Sequence, residues 1–516
     1  MEQNRRHRPV TRRLAGTALA LAAAGGLLLT GCGAADHGSR GSANGSKADG
    51  GFPAPAPAAP TRGSGQRRDG ADGDPAPSPD YLSTFALDVD TASYGYTRRL
   101  LDEGRRPDPS AVRPEEFVNS FRQDYPRPDG NGFTVTVDGA RTGAGHWSLV
   151  RVGLATRPAR SDDERPPAAL TFVVDVSGSM EEPGRLDLAR QSLNAMTDRL
   201  RDDDSVALVA FSDRAERVLP MTRLGGHRGR VHDAIDSLQA QQSTNLGAGV
   251  ETGYATAVDG LRKNATNRVV LISDALANTG DTDPDSILER VSTARREHGI
   301  TLFGVGVGSD YGDALMERLA DRGDGHTAYV SDPAGAREVF VDQLPRNVDL
   351  TARDAKAQVA FDPATVAEFR LIGYDDRRVA DQDFRDDRVD GGEVGPGHTV
   401  TALYAVRTRP GAEGHLATAT VRWLDPATRA PHEQSGELEA GALTASVWRA
   451  SPRFQVTATA AYFADALRYR RLPDAPGLAT LADQAARLAE QTEDKDVRNL
   501  WRAVREAAGM HAPATD

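Results

Sequence analysis

The stretch FVVDVSGSM, residues 172–180, runs from aromatic and β-branched residues into an aspartate and then two serines separated by a glycine. Asp175, Ser177 and Ser179 thus offer one carboxylate and two hydroxyls within five residues. Two more oxygen-bearing side chains fall in comparable places. Thr244 opens the segment TNLGAGVETG, and Asp274 closes the apolar run VVLISD. All five are hard donors, which suit Mg²⁺, Mn²⁺ or Ca²⁺ and not zinc or copper, metals that favour nitrogen and sulfur. Mg²⁺ fits best, because it takes few protein ligands and keeps waters. Two aspartates and two or three neutral hydroxyls leave such an ion partly compensated and short of one strong ligand. A carboxylate from another molecule would take that open position. Gly178 is expected to let the loop fold back so that both serine hydroxyls face one point.

The elements around these residues read as alternating strands and helices from about residue 166. ALTFVVDV, DSVALVAFSD, RVVLISDA and ITLFGVGVG are near-continuous apolar runs, as strands buried on both faces are. Between them, LDLARQSLNAMTDRL sets Leu186, Ala189, Leu193, Met196 and Leu200 on one helical face. RVHDAIDSLQ, LGAGVETGYATAVDGL and DPDSILERVSTARREHG read as further helices. The pattern predicts an α/β fold with a doubly wound, mostly parallel sheet, in which ligands sit outside the carboxyl ends of the strands. Asp175, Thr244 and Asp274 all fall at or beyond such ends.

This set resembles the metal-ion-dependent adhesion site of von Willebrand factor type A domains. That pattern is Asp-x-Ser-x-Ser, then a Thr, then an Asp, each following a different strand. The resemblance implies Asp175, Ser177, Ser179 and Thr244 as direct or water-bridged metal ligands, with Asp274 completing the shell through water, and a partner protein donating an Asp or Glu. Two positions depart from the family. Ala275 follows Asp274 where the family usually has Gly, and Gln241-Gln242-Ser243 precede the Thr where it tends to have small residues. These bear on loop shape more than on the ligands.

The flanks carry signals of their own. Met1 to Gly31 has five arginines and one glutamate, an apolar stretch LAGTALALAAAGGLLLT, and then Cys32, the chain's single cysteine. This reads as an export signal and not a spanning helix. LTGC, residues 29–32, resembles the lipobox of bacterial lipoproteins, which implies lipidation of Cys32 and an outward-facing, lipid-anchored protein. Arg12-Arg13 leaves a twin-arginine export route open. One cysteine permits no internal disulfide. Residues 32–78 are rich in Gly, Ser, Ala, Pro and Asp and read as a disordered tether. The net charge of −12 argues against nucleic acid as a partner.

Residues 79–131 read as a short strand, a turn and two helices, with Asp90 or Thr91 as a helix N-cap. FTVTVDGA and WSLVRVGLA, within 132–165, alternate as half-buried strands do. A β-rich module spans 348–450 and a helical region 451–516, with Phe463, Leu467, Leu481, Leu488 and Trp501 as core residues. Two strands before the α/β region (166–347) cannot stand alone. We therefore expect both β sets to form one sandwich-like module with the α/β domain inserted between its strands. TFALDVDTASYGYTRRLL, VRPEEFVNSF, FRLIGYDDR and the helical tail resemble a family of bacterial type A-domain lipoproteins with an uncharacterised C-terminal domain. Asp88 and Asp90 echo the metal motif without its downstream partners, so they read as a strand end with a cap. His398 reads as a loop or strand residue, and the acidic run Asp381–Asp390 as a solvated hairpin. HExxH, GxSxG and GxxxxGK[ST] are all missing. The expected function is metal-dependent protein binding at the cell surface, without enzymatic activity. The alternatives are a metal-dependent hydrolase and an envelope scaffold whose metal is structural.

Overall fold

A computed structural model describes residues 81–510, apart from 88–89, 144–145, 159–164, 275–283, short runs between 308 and 349, and positions 376, 388, 390 and 427. The export segment, Cys32, the tether, Asp88 and Ala275 therefore lie outside the described residues. The chain begins with β1 (Leu82–Ala86), α1 (Ala92–Asp102), α2 (Pro114–Asn119) and the strand pair β2 (Phe133–Arg141) and β3 (Trp147–Thr156). It then enters the α/β region through β4 (Ala168–Asp175), α3 (Leu186–Arg199), β5 (Ser205–Phe211), β6 (Ala215–Arg223), α4 (Arg228–Asp236), α5 (Leu246–Asp259), β7 (Thr266–Ser273), α6 (Pro284–His298), β8 (Thr301–Val307) and β9 (His326–Val330). It returns through β10 (Ala352–Phe361), β11 (Val366–Leu371), β12 (Gly392–Val394), β13 (Thr399–Thr408), β14 (His415–Leu424) and β15 (Pro431–Glu439). Helices α7 (Pro452–Arg468), α8 (Leu478–Thr492) and α9 (Lys495–Gly509) follow.

The α/β sheet has the order β6-β5-β4-β7-β8-β9. Every pairing is parallel except β5 with β6. Successive strand residues point to opposite faces, so one run feeds two cores. Phe172, Val174, Ile272 and Val305 pack with Leu186, Ala189, Leu193 and Met196 of α3 and with Val231 and Ile235 of α4. Val173, Val209, Val269 and Leu271 pack on the other side with Leu246, Val250, Tyr254, Ile287 and Val291 from α5 and α6. Both faces are thus covered, as the unbroken apolar runs require. Each buried Leu or Met on α3 contributes roughly 1.5–3 kcal/mol. On α5, a Cβ at Gly249 would meet Phe211 at 2.6 Å and one at Gly253 would meet Val173 at 2.4 Å. Those two glycines, four apart, let α5 lie close against β4 and β5. The antiparallel edge β6 is not foreseen by the sequence pattern. Its AERVLPMTR is mostly solvent-facing, with Leu219 its one fully buried residue and a proline of the kind edge strands tolerate.

The two β sets do form one sandwich. Sheet β11-β13-β3-β2 joins strands from before and after the α/β region, with Val150 beside Tyr404 and Val152 beside Ala402. The second sheet is β1-β10-β14-β15, with β12 also on β10. Phe85, Val152, Leu154, Val359, Phe361, Tyr404 and Val421 meet between them. Phe361 stacks on Phe369 at 4.3 Å and meets the edge of Tyr404 at 5.2 Å. The α/β domain is inserted between β3 and β10. Strand β15 was also not expected, because its PHEQSGELE is nearly all exposed and polar.

The helices from both flanks share a core. Tyr94, Leu101, Phe117 and Phe121 of the first segment pack with Phe454, Phe463, Leu481, Leu488 and Leu500 of α7–α9, over Leu149 and Leu403 of the sandwich. Ser451 caps α7 by accepting from the Phe454 N–H, with Pro452 at the first helical position. Trp501, expected in the core, is half-buried, with Arg505 over its ring at 4.8 Å. No helix among the described residues is long and apolar enough to cross a membrane.

Buried charges tie the inserted domain to its base. Arg268 of β7 is fully buried, with Nη2 3.3 Å from Glu393 Oε2 of β12 and Nε donating to Thr301 Oγ1 at 2.9 Å. Arg353 of β10 reaches the other Glu393 oxygen at 3.5 Å. The Asp90 carboxylate, expected as a helix cap, is instead buried between the Arg377 guanidinium and the Thr327 N–H of β9. Thr91 holds the N-cap position of α1, with no side-chain cap bond. An aspartate two residues from a helix reads as a cap because the distant arginine leaves no local trace.

At the other end of β4 the polar anchor is Asp204. Its carboxylate accepts from Arg165 at 2.9 and 2.6 Å and from the N–H groups of Ala168 and Arg201, both at 2.7 Å. Burial pushes this carboxyl up, but Arg165 and the backbone donors outweigh it and hold it below the usual carboxylate range. Its contribution is therefore present above about pH 4 and is lost as pH falls through the depressed folded value. Asp204→Ala is expected to cost about 3 kcal/mol near neutral pH, with the gap to wild type closing in strong acid. Chemical denaturation across that pH range checks both the size and the direction.

Candidate metal centre

Strand β4 is where the winding of the sheet reverses. β5 and β6 lie to one side of it and β7, β8 and β9 to the other. The crevice outside the carboxyl ends of β4 and β7 is thus the topological switch point. The ladder sets Val174 beside Ile272 and Asp175 beside Phe211, so Asp175 and Asp274 end up in that crevice. Both are fully buried.

Asp175 Oδ1 accepts from the Ser177 N–H at 2.8 Å, and Oδ2 from the Ser273 hydroxyl at 2.6 Å. Ser177 Oγ and Ser179 Oγ are 3.0 Å apart. Two oxygens in adjacent positions of an octahedron with bonds of about 2.1 Å are separated by about 3.0 Å. The serine pair therefore has the spacing of one edge of a Mg²⁺ shell. The expectation for Gly178 is not met. It lies outside the left-handed region, and a Cβ there would make ordinary contact with the Gln241 carbonyl at 3.4 Å. The Ser177–Ser179 turn comes from a 3₁₀ segment, 178–181, not from glycine's freedom.

The third loop is drawn in by backbone contacts. The Gln241 N–H donates to Val176 O at 2.6 Å, and the Asn245 N–H to Ser212 O at 2.6 Å. Gln241 Oε1 accepts from Ser212 Oγ at 2.8 Å. Asn245 caps α5 by accepting from the Ala248 N–H at 3.0 Å. Ser243 turns through φ 68°, and Thr244 is buried between these anchors. Of the residues that depart from the usual small ones, Gln241 fastens this loop, to the first loop through its N–H and to the residue after β5 through its side chain.

One residue in the centre was not singled out from the sequence. Arg185 is buried, with Nη1 donating to Ser179 O at 2.9 Å and lying 3.2 Å from Asp274 Oδ2. Its Nη2 is 2.7 Å from Glu182 Oε2. The only sequence signal is a single cation closing the acidic loop EEPGR just before α3.

The donor chemistry fits a hard divalent cation. Asp274 Oδ1 is buried and has no partner among the described residues. Burial pushes the Asp175 carboxyl up to about 6, against hydrogen bonds from Ser273 and Ser177, and the neighbouring Asp274 charge adds to the rise. Two adjacent buried carboxylates with one orphaned oxygen favour added positive charge. Among the described residues, no group of three or more His, Cys, Asp or Glu side chains is placed to hold a metal. This centre has two carboxylates, and its remaining donors are hydroxyls.

The family profile of the von Willebrand factor type A domain matches residues 169–342, the region that carries all five candidate ligands. That of the C-terminal part of the uncharacterised protein YfbK matches 348–510, and one described as von Willebrand factor matches 74–147. The chain contains a von Willebrand factor type A domain followed by a YfbK-type C-terminal domain. The uncharacterised Escherichia coli protein YfbK is 38% identical over 333 residues, covering 63% of this chain and 57% of that one. Inter-alpha-trypsin inhibitor heavy chain H3 of Rattus norvegicus is 27% identical over 197 residues, covering 36% of this chain and 22% of its own length. The chain therefore spans little more than half of the first of these relatives and less of the second. Among solved structures, a von Willebrand factor type A protein from Catenulispora acidiphila aligns with a TM-score of 0.46 at 17% identity, over 71% of this chain and 89% of that one.

A raised carboxyl means that the folded type A domain holds a proton the unfolded chain releases. Without metal, stability should fall as pH rises through about 6. Asp175→Asn keeps an acceptor and removes the charge. In EDTA it is expected to flatten that slope and to gain on the order of 2 kcal/mol over wild type near neutral pH. Urea midpoints on both sides of that pH test this, and a slope unchanged by the substitution would contradict it.

Proposed function

We propose that this type A domain binds a protein partner through a divalent cation, Mg²⁺ first and Mn²⁺ or Ca²⁺ as alternatives, at the crevice beyond β4 and β7. A type A domain supports a protein-interaction role in general terms. The metal dependence is inferred here from the site. The observation that carries it is the pair of serine hydroxyls 3.0 Å apart near two buried aspartates, one with an oxygen that has no partner among the described residues.

In this reading Asp175, Ser177, Ser179 and Thr244 hold the ion, and Asp274 completes the shell through water. The bound ion supplies a vacancy that an Asp or Glu of the partner fills. The chain's own contribution is rigidity. Asp175 is fixed by Ser273 and the Ser177 N–H, and the Thr244 segment by Gln241 and Asn245. Preorganised ligands of this kind suit a recognition point. The role is binding, not catalysis. The LTGC sequence at 29–32 supports export and lipid anchoring at Cys32, which would present the site outward on a tether of 32–78.

Mg²⁺ is expected to raise the melting temperature of the wild-type chain, and Asp175→Ala to abolish that rise. Calorimetry with Mg²⁺ and with EDTA reads both. A metal response that survives Asp175→Ala would defeat the assignment. Pull-down from envelope extracts should recover a partner in Mg²⁺ and lose it in EDTA. Recovery insensitive to EDTA would point to the scaffold reading. Cys32→Ser should move the protein from the membrane to the soluble fraction.

A further inference from the structure

Arg185 gives the metal centre a cation of its own. The guanidinium spans two of the three ligand loops, touching the Asp274 carboxylate on one side and the Ser179 carbonyl on the other. It is 3% exposed, so its guanidinium charge is held away from solvent. The third contact, Glu182, is 65% exposed and so lies at the solvent edge of the same cluster. A buried charge of this kind changes the electrostatics of everything that binds beside it, because screening there is weak.

The charge count follows directly. Asp175 and Asp274 alone would offer a divalent ion two compensating charges. Arg185 is shared between Asp274 at 3.2 Å and Glu182 at 2.7 Å, but solvent screens the exposed Glu182, so among the buried charges an arriving dication meets a net charge of about −1 and a like charge a few ångströms away. Metal binding to the free protein is weakened. Once the ion is in place, two buried negative charges face three positive ones, with Glu182 adding only a screened negative charge at the solvent edge. The excess favours exactly one further anion, an incoming carboxylate. Arg185 thus weakens the metal in the absence of ligand and strengthens the ligand in the presence of metal.

We propose that Arg185 is a specificity-determining residue that makes the divalent cation and the partner's carboxylate bind as a pair. This rests on the metal reading given above. By linkage, the factor by which a carboxylate tightens the metal equals that by which the metal tightens the carboxylate. Arg185 enlarges that factor. Its second effect is on the metal-free protein, where it holds the two loops together.

The test is Mg²⁺ titration of the full chain by calorimetry, without and with acetate as the carboxylate probe at constant ionic strength, alongside melting temperatures in EDTA. In wild type, acetate should tighten Mg²⁺ severalfold. Arg185→Gln should bind Mg²⁺ alone about tenfold more tightly, within the range of ordinary site–site coupling. It should also lose most of the acetate enhancement and melt lower in EDTA. Arg185→Lys keeps the charge without the fork and should stay close to wild type in Mg²⁺ affinity, which separates charge from packing. If Arg185→Gln leaves Mg²⁺ affinity unchanged or weaker, or if Arg185→Lys behaves like Arg185→Gln, the arginine proposal fails while the metal site stands. If wild type gives no Mg²⁺ heat that Asp175→Ala removes, both fall.

Discussion

Two aspartates with no access to water, at the ends of neighbouring parallel strands, are the constraint around which this molecule is arranged. A buried carboxylate is tolerated only when donors or positive charge surround it. The strand ends supply Ser273 and the Ser177 N–H to Asp175. The loop before α3 supplies Arg185 to Asp274. What is left over is an Asp274 oxygen without a partner among the described residues, near two serine hydroxyls 3.0 Å apart. The parallel register brings these groups together, because β4 and β7 are adjacent and in step, β4 ending in Asp175 and β7 running directly into Asp274.

The reach of sequence reading follows from which of these interactions are local. Asp175 and Asp274 stand out because apolar runs that mark strands lead into each, whereas Thr244 follows the polar stretch QAQQS and is placed by the backbone contacts of Gln241 and Asn245. The sandwich was legible by a different route, since a hairpin of two strands needs company. Arg185 was not, because a long side chain that crosses a loop leaves no periodic trace. Asp90 misled for the same reason: its partner Arg377 lies 287 positions away. β6 and β15 were missed because strands facing solvent lack the alternation that betrays a buried face.

The junction between the inserted domain and its base is polar at its heart. The buried Arg268 and Glu393 form one chain with the half-buried Arg353, and Asp90, Arg377 and the Thr327 backbone form another. Ion pairs shut away from water contribute little net stability but tolerate few alternative arrangements. Such contacts fix orientation more than they add strength, and they hold the crevice at β4 and β7 in a defined direction relative to the sandwich.

The helices that cover the sandwich come from both flanks of the inserted domain, and Phe117 meets Phe463 at 5.9 Å in their common core. During synthesis, β1 has no strand partner until β10 emerges, and Phe117 of α2 waits for Phe463 of α7. The inserted domain has no such wait, since most of its two apolar layers draws on residues between 168 and 340. A ribosome making this protein therefore releases a finished recognition head before its pedestal exists. Until β13 emerges, the β3 edge of the β2–β3 hairpin lacks the strand it pairs with in the finished fold, and an open strand edge is a surface that other chains can pair with.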